Sequence, residues 1–495
     1  MVVVRLGAER AARMVTVLVP GAQAAVALWL AWRSLDWPLI HDAPILHYIA
    51  WRIADGAVPY RDLFDMNFPG TYLVHLAVVT LLGTGDVAWR AVDLGVTALT
   101  AGLVAALAAP WGRVAALGGA SFFAAYHLAA GAWNAGQRDF LLGPCLLGAA
   151  LGVARWAEGG GLRPVFGGGI VLGAGLTIKP HAIVFLVALV AFIAVRGRVT
   201  VVPALPPMAA LAVGAALAPI VVVVWLAAVG ALGAWREIVF GYLVPLYSRV
   251  ARPSDWLYFR WDAWIAVSVA LGVTCARLTW TGRWTARHAL AALGLAYGAA
   301  HFLLQRKGWE YHAYPLAAFA AVLLFAELAP ALRRRPLRAA PLAASLVAVV
   351  WLLGVKGVEA GDSGWIALKE RRVSALAADL AARVKPGDEV QVLDTTDGGV
   401  HALLRQRLRE PSRFLYDFHF YHHVGAPMIE RLRAELVRDL GARAPALIVL
   451  WEPGWPAGGY ERIDGFPALR TLLETRYARA HDGDAYRIYA KRHDP

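Results

Sequence analysis

The chain has 495 residues, of which 59% are hydrophobic and only 17% are charged, and its formal net charge is +13. Soluble domains carry about 25% charged residues, so this composition excludes an ordinary soluble enzyme and indicates a membrane protein. Most basic residues stand between apolar runs, where lipid headgroups and topology require them, so the charge does not indicate binding of nucleic acid. The two cysteines, Cys145 and Cys275, lie inside apolar runs and form neither a CxxC motif nor a disulfide framework.

Apolar runs suited to membrane helices recur along the chain as far as residue 355. A helix needs about 20 mostly apolar residues to cross the hydrocarbon core of a bilayer. The runs predict eleven crossings, at residues 13–32, 87–109, 114–132, 140–156, 164–178, 182–195, 204–231, 262–276, 288–304, 313–330 and 338–355. A further run over 69–83, which begins at Pro69, is too short to span comfortably and predicts a half-helix or a juxtamembrane helix.

Arginines mark one side of the predicted membrane. The arginine-rich loops lie near 110–113, 155–163, 196–199, 277–287 and 331–338. These loops contain one acid, Glu158. Because cytoplasmic loops carry an excess of Lys and Arg, the pattern predicts a cytoplasmic N-terminus. The first loop, at about 33–86, and the chain beyond the last crossing then lie on the outer side, which would be the periplasm in a bacterial inner membrane.

The composition changes at about residue 357, which divides the chain into a transmembrane domain over 1–356 and a periplasmic domain over 357–495. The later part predicts amphipathic helices at 369–384 and 426–443 and short strands at 389–396, 445–451 and 484–491. Strands that alternate with helices indicate a small α/β domain, which is long enough to bury a core of its own.

The first loop holds the richest set of polar and aromatic residues. Asp42 directly follows the first predicted membrane helix, where a carboxylate could act as a base on an acceptor hydroxyl. A helix that carries Tyr48 is predicted next, and Gly56 ends it. The residues predicted to line a substrate cavity here are Tyr48, Tyr60, Asp62, Asp65 and Asn67. For Asp62, a solvated position in the loop is the alternative.

Two later segments carry charge at the same predicted face. Arg138 and Asp139 begin the fourth crossing, and Asp139 is either a helix N-cap or a second carboxylate that faces Asp42. Lys179 and His181 flank Pro180 between two apolar runs. They either snorkel to the membrane surface or, in the case of Lys179, contact a lipid phosphate as a point charge.

The segment 305–315, QRKGWEYHAYP, places bases beside aromatic rings. Its candidate residues are Arg306, Lys307, Trp309, Tyr311 and His312. An interfacial aromatic belt with snorkelling bases explains part of this pattern, and a sugar-phosphate site explains it equally well. The segment 232–260, with Arg236, Arg249, Arg252 and Arg260, predicts an interfacial amphipathic element that could also close over a lipid substrate.

Several separated motifs carry a family resemblance. They are Asp42 in HDAPILHY, the series Ala50, Ile53, Gly56, Pro59, Tyr60, Asp62 and Pro69, and Asp139 in GQRDF. On these residues the sequence resembles the GT-C superfamily of polytopic membrane glycosyltransferases, in the bacterial branch related to protein O-mannosyltransferases and to the lipid A aminoarabinose transferase. It departs from that pattern before the half-helix, where related enzymes often carry paired prolines, sometimes with a nearby lysine. Here the segment FDMNFPG has one proline, Pro69, and no lysine.

The resemblance implies an α-helical polytopic protein of the bacterial inner membrane that takes sugar from a polyprenyl-phosphate-linked donor. The acceptor would be a glycolipid, a polysaccharide or a protein. Asp42 would be the general base, and Asp139 would orient the acceptor or position a cation. The cations expected near the departing phosphate are Lys179, Arg138, Arg306 and Lys307. No cofactor is implied with certainty, and the lack of a DxD pair near Asp139 gives a divalent metal no support.

Two other classes of function stay open at this point. A transporter or flippase of lipid-linked sugar would share the helices and the basic loops, although the sequence shows no internal repeat. A non-catalytic membrane scaffold would present the C-terminal domain and would not need Asp42, Asp139 and Lys179 to converge. Convergence of these three residues at one cavity would therefore favour the enzyme.

Overall fold

The structure is a computed structural model that describes residues 2–200, 203–250, 261–361 and 364–492. The predicted interfacial segment 232–260 is thus described only as far as residue 250. Arg252 and Arg260, which were part of that prediction, lie outside the described residues.

Helices fill most of the chain up to residue 361, close to where the apolar runs predict them. In chain order they are α1 (Val2–Arg33), α2 (Ala43–Ala54), α3 (Pro69–Leu81), α4 (Asp86–Ala108), α5 (Arg113–Ala129), α6 (Arg138–Ala157), α7 (Leu162–Ile178), α8 (Ala182–Thr200), α9 (Leu205–Ala228), α10 (Leu232–Glu237), α11 (Trp261–Trp280), α12 (Ala286–Gln305), α13 (Tyr314–Leu324), α14 (Leu328–Arg334) and α15 (Ala340–Gly361). A π-helix at Ile238–Leu243 continues α10.

The bundle is that of a multi-pass membrane protein. Within the described residues, eight helical stretches are long and apolar enough to cross a membrane. Helices α5, α7 and α12 also coincide with predicted crossings but do not combine that length with that hydropathy. The fold class is therefore confirmed, while the number of eleven crossings stays a prediction.

The predicted half-helix is present as α3, which has 13 residues. At 1.5 Å per residue it is about 20 Å long, and the hydrocarbon core is about 30 Å thick. Its first turn lies against the end of α7, because a Cβ at Gly70 would come within 2.2 Å of the Thr177 hydroxyl oxygen. Only glycine permits this approach, which fixes the end of the first loop to the bundle.

The end of the bundle that was predicted to be cytoplasmic pairs its arginines with acids. Arg287 donates to Glu158 at 2.6 Å and to the carbonyl of Ala106 at 2.6 Å. Arg277 and Arg283 both contact the buried Glu327. These pairs gather the loops of that end, and the acidic and aromatic residues of the first loop lie at the other.

The C-terminal domain is built on a four-stranded sheet. Its strands are β1 (Val390–Leu393), β2 (Leu447–Trp451), β3 (Tyr477–Asp482) and β4 (Tyr486–Lys491), in the order β1-β2-β4-β3. Strands β1 and β2 are parallel, and the other pairs are antiparallel. The helices are α16 (Gly364–Ala381), α17 (Gly399–Gln406), α18 (Pro427–Arg443) and α19 (Pro467–Arg476). Strand β3 and helices α17 and α19 were not predicted. Strand β3 is mostly exposed and polar, so it lacks the apolar pattern of a strand. Helix α17 has only 8 residues, too few to show a clear helical period.

The first loop and the C-terminal domain share one hydrophobic core, in which buried side chains of both pack together. The Tyr48 hydroxyl donates to the carbonyl of Leu408 at 3.2 Å and accepts from the amide of Glu410 at 3.1 Å. The amide of Phe64 donates to the carbonyl of Arg413 at 2.6 Å. The first loop is thus held between the bundle and the C-terminal domain.

Candidate functional site

A cavity of about 460 Å³ lies where the helical bundle meets the C-terminal domain. Its volume falls in the range of about 300–1,000 Å³ that is usual for small-ligand sites. The bundle and its loops contribute His41, Asp42, Met66, Asn67, Trp133, Arg138, Tyr247, Gly308, Trp309, Glu310 and Tyr311. The C-terminal domain contributes Thr395, Thr396, Tyr416, Phe418 and Trp455.

Asp42 lies in the cavity wall at the N-terminal end of α2, as the sequence predicts for the mouth of the bundle. The side chain of Gln137 donates to its Oδ2 at 3.0 Å, and the guanidinium of Arg138 lies 3.5 Å from the same oxygen. The Nε2 atom of His41 is 3.7 Å from its Oδ1. The carboxylate is therefore fixed mainly by Gln137 and Arg138 at the start of α6.

The charge on Asp42 follows from these neighbours. Burial by itself raises the pKa of Asp42, but the charges of His41 and Arg138 and the hydrogen bond from Gln137 outweigh it, so the pKa lies below its ordinary value. Burial lowers the pKa of His41 to about 4, against the attraction of Asp42. At neutral pH the cavity wall thus presents an ionised carboxylate beside a neutral imidazole.

Asp139 and Lys179 form a buried cluster directly behind that wall. The ammonium of Lys179 lies 3.0 Å from Asp139 Oδ2, and the Nε2 atom of His301 lies 2.5 Å from Asp139 Oδ1. Lys179 also donates to the side chain of Gln305 at 3.0 Å. Arg138 and Asp139 are adjacent on the first turn of α6, so this cluster lies next to the residue that contacts Asp42. Asp139 and Lys179 themselves do not line the cavity, so of the three residues expected to converge there only Asp42 does.

Three residues of the first loop shape its approach to the cavity. Asp65 Oδ1 accepts from the amide of Asn67 and from the Tyr72 hydroxyl, both at 2.6 Å. The Tyr60 hydroxyl donates to the carbonyl of Asn67 at 2.8 Å. Of the predicted loop residues, Asn67 reaches the cavity wall, and Tyr60 and Asp65 lie behind it as its supports.

Several predicted site residues lie elsewhere. Tyr48 belongs to the interface with the C-terminal domain. Asp62 is half-buried, pairs with Arg61 at 2.8 Å and accepts from the amide of Val58 at 2.8 Å, so it acts within the loop rather than in the cavity wall. The ammonium of Lys307 donates to the backbone carbonyls of Tyr247 and Val250.

The remaining candidate residues near 179–181 and in 305–315 are also split between the cavity wall and other positions. Arg306 and His181 are exposed, and His301 packs edge-on to the His181 ring at 5.6 Å. His312 is buried against Trp309 and Tyr311. Trp309 and Tyr311 do line the cavity, so Arg138 is the one predicted phosphate-contacting cation that reaches its wall.

A buried polar network beneath the site was missed by the sequence analysis. Arg90 contacts Asp93 at 2.5 Å and Ser34 at 2.6 Å, and His127 joins Asp93 at 3.0 Å to the hydroxyl of Tyr314 at 2.7 Å. The sequence did carry a sign of it: Arg90 and Asp93 lie inside the apolar run 87–109, and ionisable residues within a membrane helix are costly and usually functional. The network ties together α4, α5 and α13 below the loop that leads into Arg138 and α6.

The wall from the C-terminal domain was also missed, since no motif marked its five residues. Thr395 donates to Asp417 at 3.1 Å and accepts from the amide of Trp455 at 3.3 Å. Across the part of the chain that the structure describes, no group of three or more His, Cys, Asp or Glu side chains is arranged to hold a metal ion.

Comparisons with known proteins give one kind of match. No protein-family model and no curated protein matches the chain. Two crystal structures of ArnT from Cupriavidus metallidurans cover 94% of this chain and 97% of their own. The apo form has a TM-score of 0.59 at 15% identity, and the form bound to undecaprenyl phosphate has 0.58 at 14%.

A third solved structure is archaeal. It is the oligosaccharyltransferase AglB from Archaeoglobus fulgidus, in complex with an inhibitory peptide and a dolichol-phosphate. It matches with a TM-score of 0.50 at 11% identity, over 89% of this chain and 69% of its own. ArnT and AglB are both GT-C membrane glycosyltransferases. The predicted resemblance in fold is thus confirmed: this chain has an ArnT-like fold.

Proposed function

We propose that this protein is an inverting membrane glycosyltransferase that moves a sugar from a polyprenyl-phosphate donor to an acceptor hydroxyl. One observation carries the proposal: the carboxylate of Asp42 and the guanidinium of Arg138 lie 3.5 Å apart in the wall of one cavity. A base and a cation side by side are the two groups that such a transfer needs, one for the acceptor proton and one for the leaving phosphate.

The two kinds of neighbour in fold support a lipid-linked donor. One ArnT structure holds undecaprenyl phosphate, and the AglB structure holds a dolichol-phosphate. Both ligands are polyprenyl chains that end in a phosphate. A cavity at one end of a membrane bundle suits such a carrier, because the chain can stay among lipids while its head reaches the polar wall. By the arginine pattern, this end is the periplasmic face of a bacterial inner membrane.

The transfer is a single displacement at the anomeric carbon of the donor sugar. Asp42 accepts the proton of the acceptor hydroxyl, and the freed oxygen bonds to the anomeric carbon of the donor sugar. The bond between that carbon and the phosphate oxygen breaks, which releases the polyprenyl phosphate with the additional negative charge. Attack from the face opposite the leaving group inverts the anomeric centre, so only one carboxylate is needed, unlike in the two-carboxylate hydrolases.

Other residues near Asp42 support these roles. Arg138 stabilises the charge that develops on the leaving phosphate. The amide of Gln137 fixes the carboxylate of Asp42 through its 3.0 Å hydrogen bond. Asp139, paired with Lys179, holds the first turn of α6 in place and so positions Arg138. Lys179 thereby acts as a positioning residue for Arg138 and does not itself contact the phosphate.

The structure favours this function over the two alternatives. A transporter needs a passage through the middle of the bundle, and there α13 buries consecutive side chains from Ala317 to Leu324. A scaffold would not need a base and a cation in one cavity. The cavity at the junction of bundle and domain, rather than at mid-membrane, therefore supports an enzyme that works at one face.

Transfer by purified protein tests the proposal. The donor is a labelled polyprenyl-phosphate sugar pool, extracted from producing cells that were fed radioactive sugar, and the acceptor is a total envelope extract. We expect Asp42→Asn to lower turnover by at least about 100-fold, because general-base catalysis contributes about 10²–10⁴. Asp36→Asn, at an exposed aspartate of the same loop, is the matched control and should retain wild-type turnover.

Two results would contradict the proposal in different ways. Wild-type turnover by Asp42→Asn would remove Asp42 from the role of base. Failure of the wild type to transfer label from any donor in the pool to any envelope fraction would exclude the transferase function itself.

A further inference from the structure

We infer that the C-terminal domain forms the acceptor half of the cavity and that the acceptor group bound there is an uncharged carbohydrate ring. This inference rests on the proposed transferase function and assigns its acceptor class. The evidence is the chemical division between the two walls of the cavity.

All charged side chains in the cavity wall come from the bundle and its loops. They are Asp42, Arg138 and Glu310, and Glu310 is paired with Lys356. The five residues from the C-terminal domain are uncharged: two threonines and three aromatic residues. The phosphate of the donor therefore belongs on the bundle side, and the opposite side suits a neutral, hydroxyl-bearing group.

Aromatic rings form a continuous belt across the junction of the two walls. The Trp309 and Trp455 rings lie 6.2 Å apart, and the Trp455 and Phe418 rings lie 5.8 Å apart. Tyr416 continues the belt at 5.3 Å from Phe418, and Tyr311 continues it at 5.4 Å from Trp309. The belt thus runs from beside the charged wall into the C-terminal domain.

This belt matches the surface of a sugar ring. Each ring carbon of a sugar bears an oxygen, so its C–H hydrogens are slightly positive, and the face of an aromatic ring is slightly negative. The hydroxyl of Thr396 adds a polar group to the same wall, while the hydroxyl of Thr395 is held by Asp417 and the amide of Trp455. An apolar surface with a few placed polar groups is the usual composition of a small-ligand site.

The same wall is poorly suited to a protein acceptor. An extended peptide buries backbone N–H and C=O groups that need partners, and such peptides commonly add to a free strand edge. The edge of β1 that faces the first loop is already covered, because the amide of Val390 donates to the carbonyl of Arg409 at 3.1 Å. A sugar needs no such edge.

The rigid support of this wall comes from a buried carboxylate. Asp394 accepts three backbone hydrogen bonds at 2.8–2.9 Å, from the amides of Asp397, Gly398 and Gly399. This arrangement fixes the loop that carries Thr395 and Thr396. The acceptor wall is therefore formed before any ligand binds.

Saturation-transfer NMR on purified full-length Asp42→Asn protein tests binding without relying on turnover. The probes are the neutral oligosaccharides released by mild acid from the glycolipids of producing cells and, separately, from their polysaccharides. Tryptic peptides of the envelope proteins are the comparison. We expect saccharide signals from at least one of the two saccharide pools and none from the peptides.

Variants of Trp455 then locate the binding. In the Asp42→Asn background, Trp455→Ala should lower the saccharide signal at least 5-fold, and Trp455→Phe should restore most of it because a ring is kept. Trp280→Ala, at an exposed tryptophan at the other end of the bundle, is the matched control and should bind like its parent. In otherwise wild-type protein, Trp455→Ala should raise the KM for acceptor and leave the KM for donor unchanged.

The outcomes separate this inference from the proposed function. Absent saccharide signals, equal signals with Trp455→Ala and Trp280→Ala, or labelled sugar that protease treatment releases from protein would each overturn the carbohydrate acceptor. The last of these would leave the transferase standing. Wild-type turnover by Asp42→Asn would contradict the role of Asp42 without affecting the binding result.

Discussion

Lys179 at the end of α7 and Asp139 in the first turn of α6 form an ion pair at 3.0 Å, buried directly behind the cavity wall. The pair joins two helix ends that are 40 residues apart in sequence. Because Arg138 is next to Asp139 and contacts Asp42, the pair is connected to the proposed base through one residue. Stability and catalysis are therefore expected to respond differently to changes at these positions.

The Asp139–Lys179 pair is expected to show strong non-additivity. Asp139→Asn and Lys179→Met should each destabilise the protein by about 3–5 kcal/mol, because removing one member leaves the other charge buried without its partner. The double variant should lose less stability than the sum of the two single-variant losses. Thermal unfolding in detergent measures the effect. The exposed Asp36, changed to Asn, is the control and should alter stability by less than about 1 kcal/mol.

Arg138 is expected to act on the leaving phosphate. Arg138→Gln should lower the kcat for transfer by about 10²–10³, as removal of one preorganised donor to a developing negative charge does elsewhere. Arg138→Lys should recover part of the rate, because it keeps the charge but loses the planar donor pair. Arg61→Gln, on the exposed part of the first loop, should leave kcat unchanged. If Arg138→Gln and the control have equal kcat, Arg138 does not stabilise the leaving phosphate.

Asp394 is expected to make stability depend on pH. Burial, with the negative charge of Asp397 nearby, raises the pKa of Asp394 from its ordinary 3.8 to about 7. Since the folded state holds this proton more tightly than the unfolded chain, the stabilisation is complete below the unfolded pKa and is lost as the pH rises through the folded pKa.

The measurement is the difference in Tm between wild type and Asp394→Asn. The wild-type protein should lose stability relative to the variant from about pH 4 to about pH 7, and the difference should level off above about pH 8. Asp464→Asn, at an exposed aspartate of the same domain, should show no such trend. A difference in Tm that is constant with pH for Asp394→Asn would show that the carboxyl keeps an ordinary pKa.

Tyr48 is expected to hold the C-terminal domain on the first loop. Tyr48→Phe removes the hydroxyl that bonds to Leu408 and Glu410, and the loss should cost about 1–3 kcal/mol because buried backbone groups lose their partner. Hydrogen exchange should quicken in the segment 407–414. Exchange in α18, which does not bond to Tyr48, is the internal reference. Unchanged exchange at 407–414 would show that other contacts carry the docking.

The fold could be predicted well because it follows from local properties of the chain. Runs of apolar residues, the half-helix that begins at Pro69 and the strands β1, β2 and β4 each have a signature within a short window. Strand β3 escaped prediction because an exposed edge strand needs no apolar pattern. The position of Asp42 at the mouth of the bundle was predictable, because α1 ends at Arg33 and a short loop can carry Asp42 no further than that end of the bundle.

The division of roles among the other site residues could not be predicted. Lys307 and Arg138 are both basic residues at the same end of the bundle, yet Lys307 bonds to the carbonyls of Tyr247 and Val250 while Arg138 faces the cavity. Nothing within a short window of sequence distinguishes them. The direction of each side chain depends on packing partners far along the chain.

The sequence by itself determined that the chain lies in a membrane, because backbone polar groups in hydrocarbon must be bonded internally, a helix does this within one segment, and a spanning helix needs a long apolar run. It also determined that Asp42 stands at a bundle end. Only the tertiary structure decided that residues 395–455 of the C-terminal domain close the same cavity. That decision depends on contacts between segments hundreds of residues apart, such as Tyr48 with Leu408, and no local pattern encodes which distant surfaces meet.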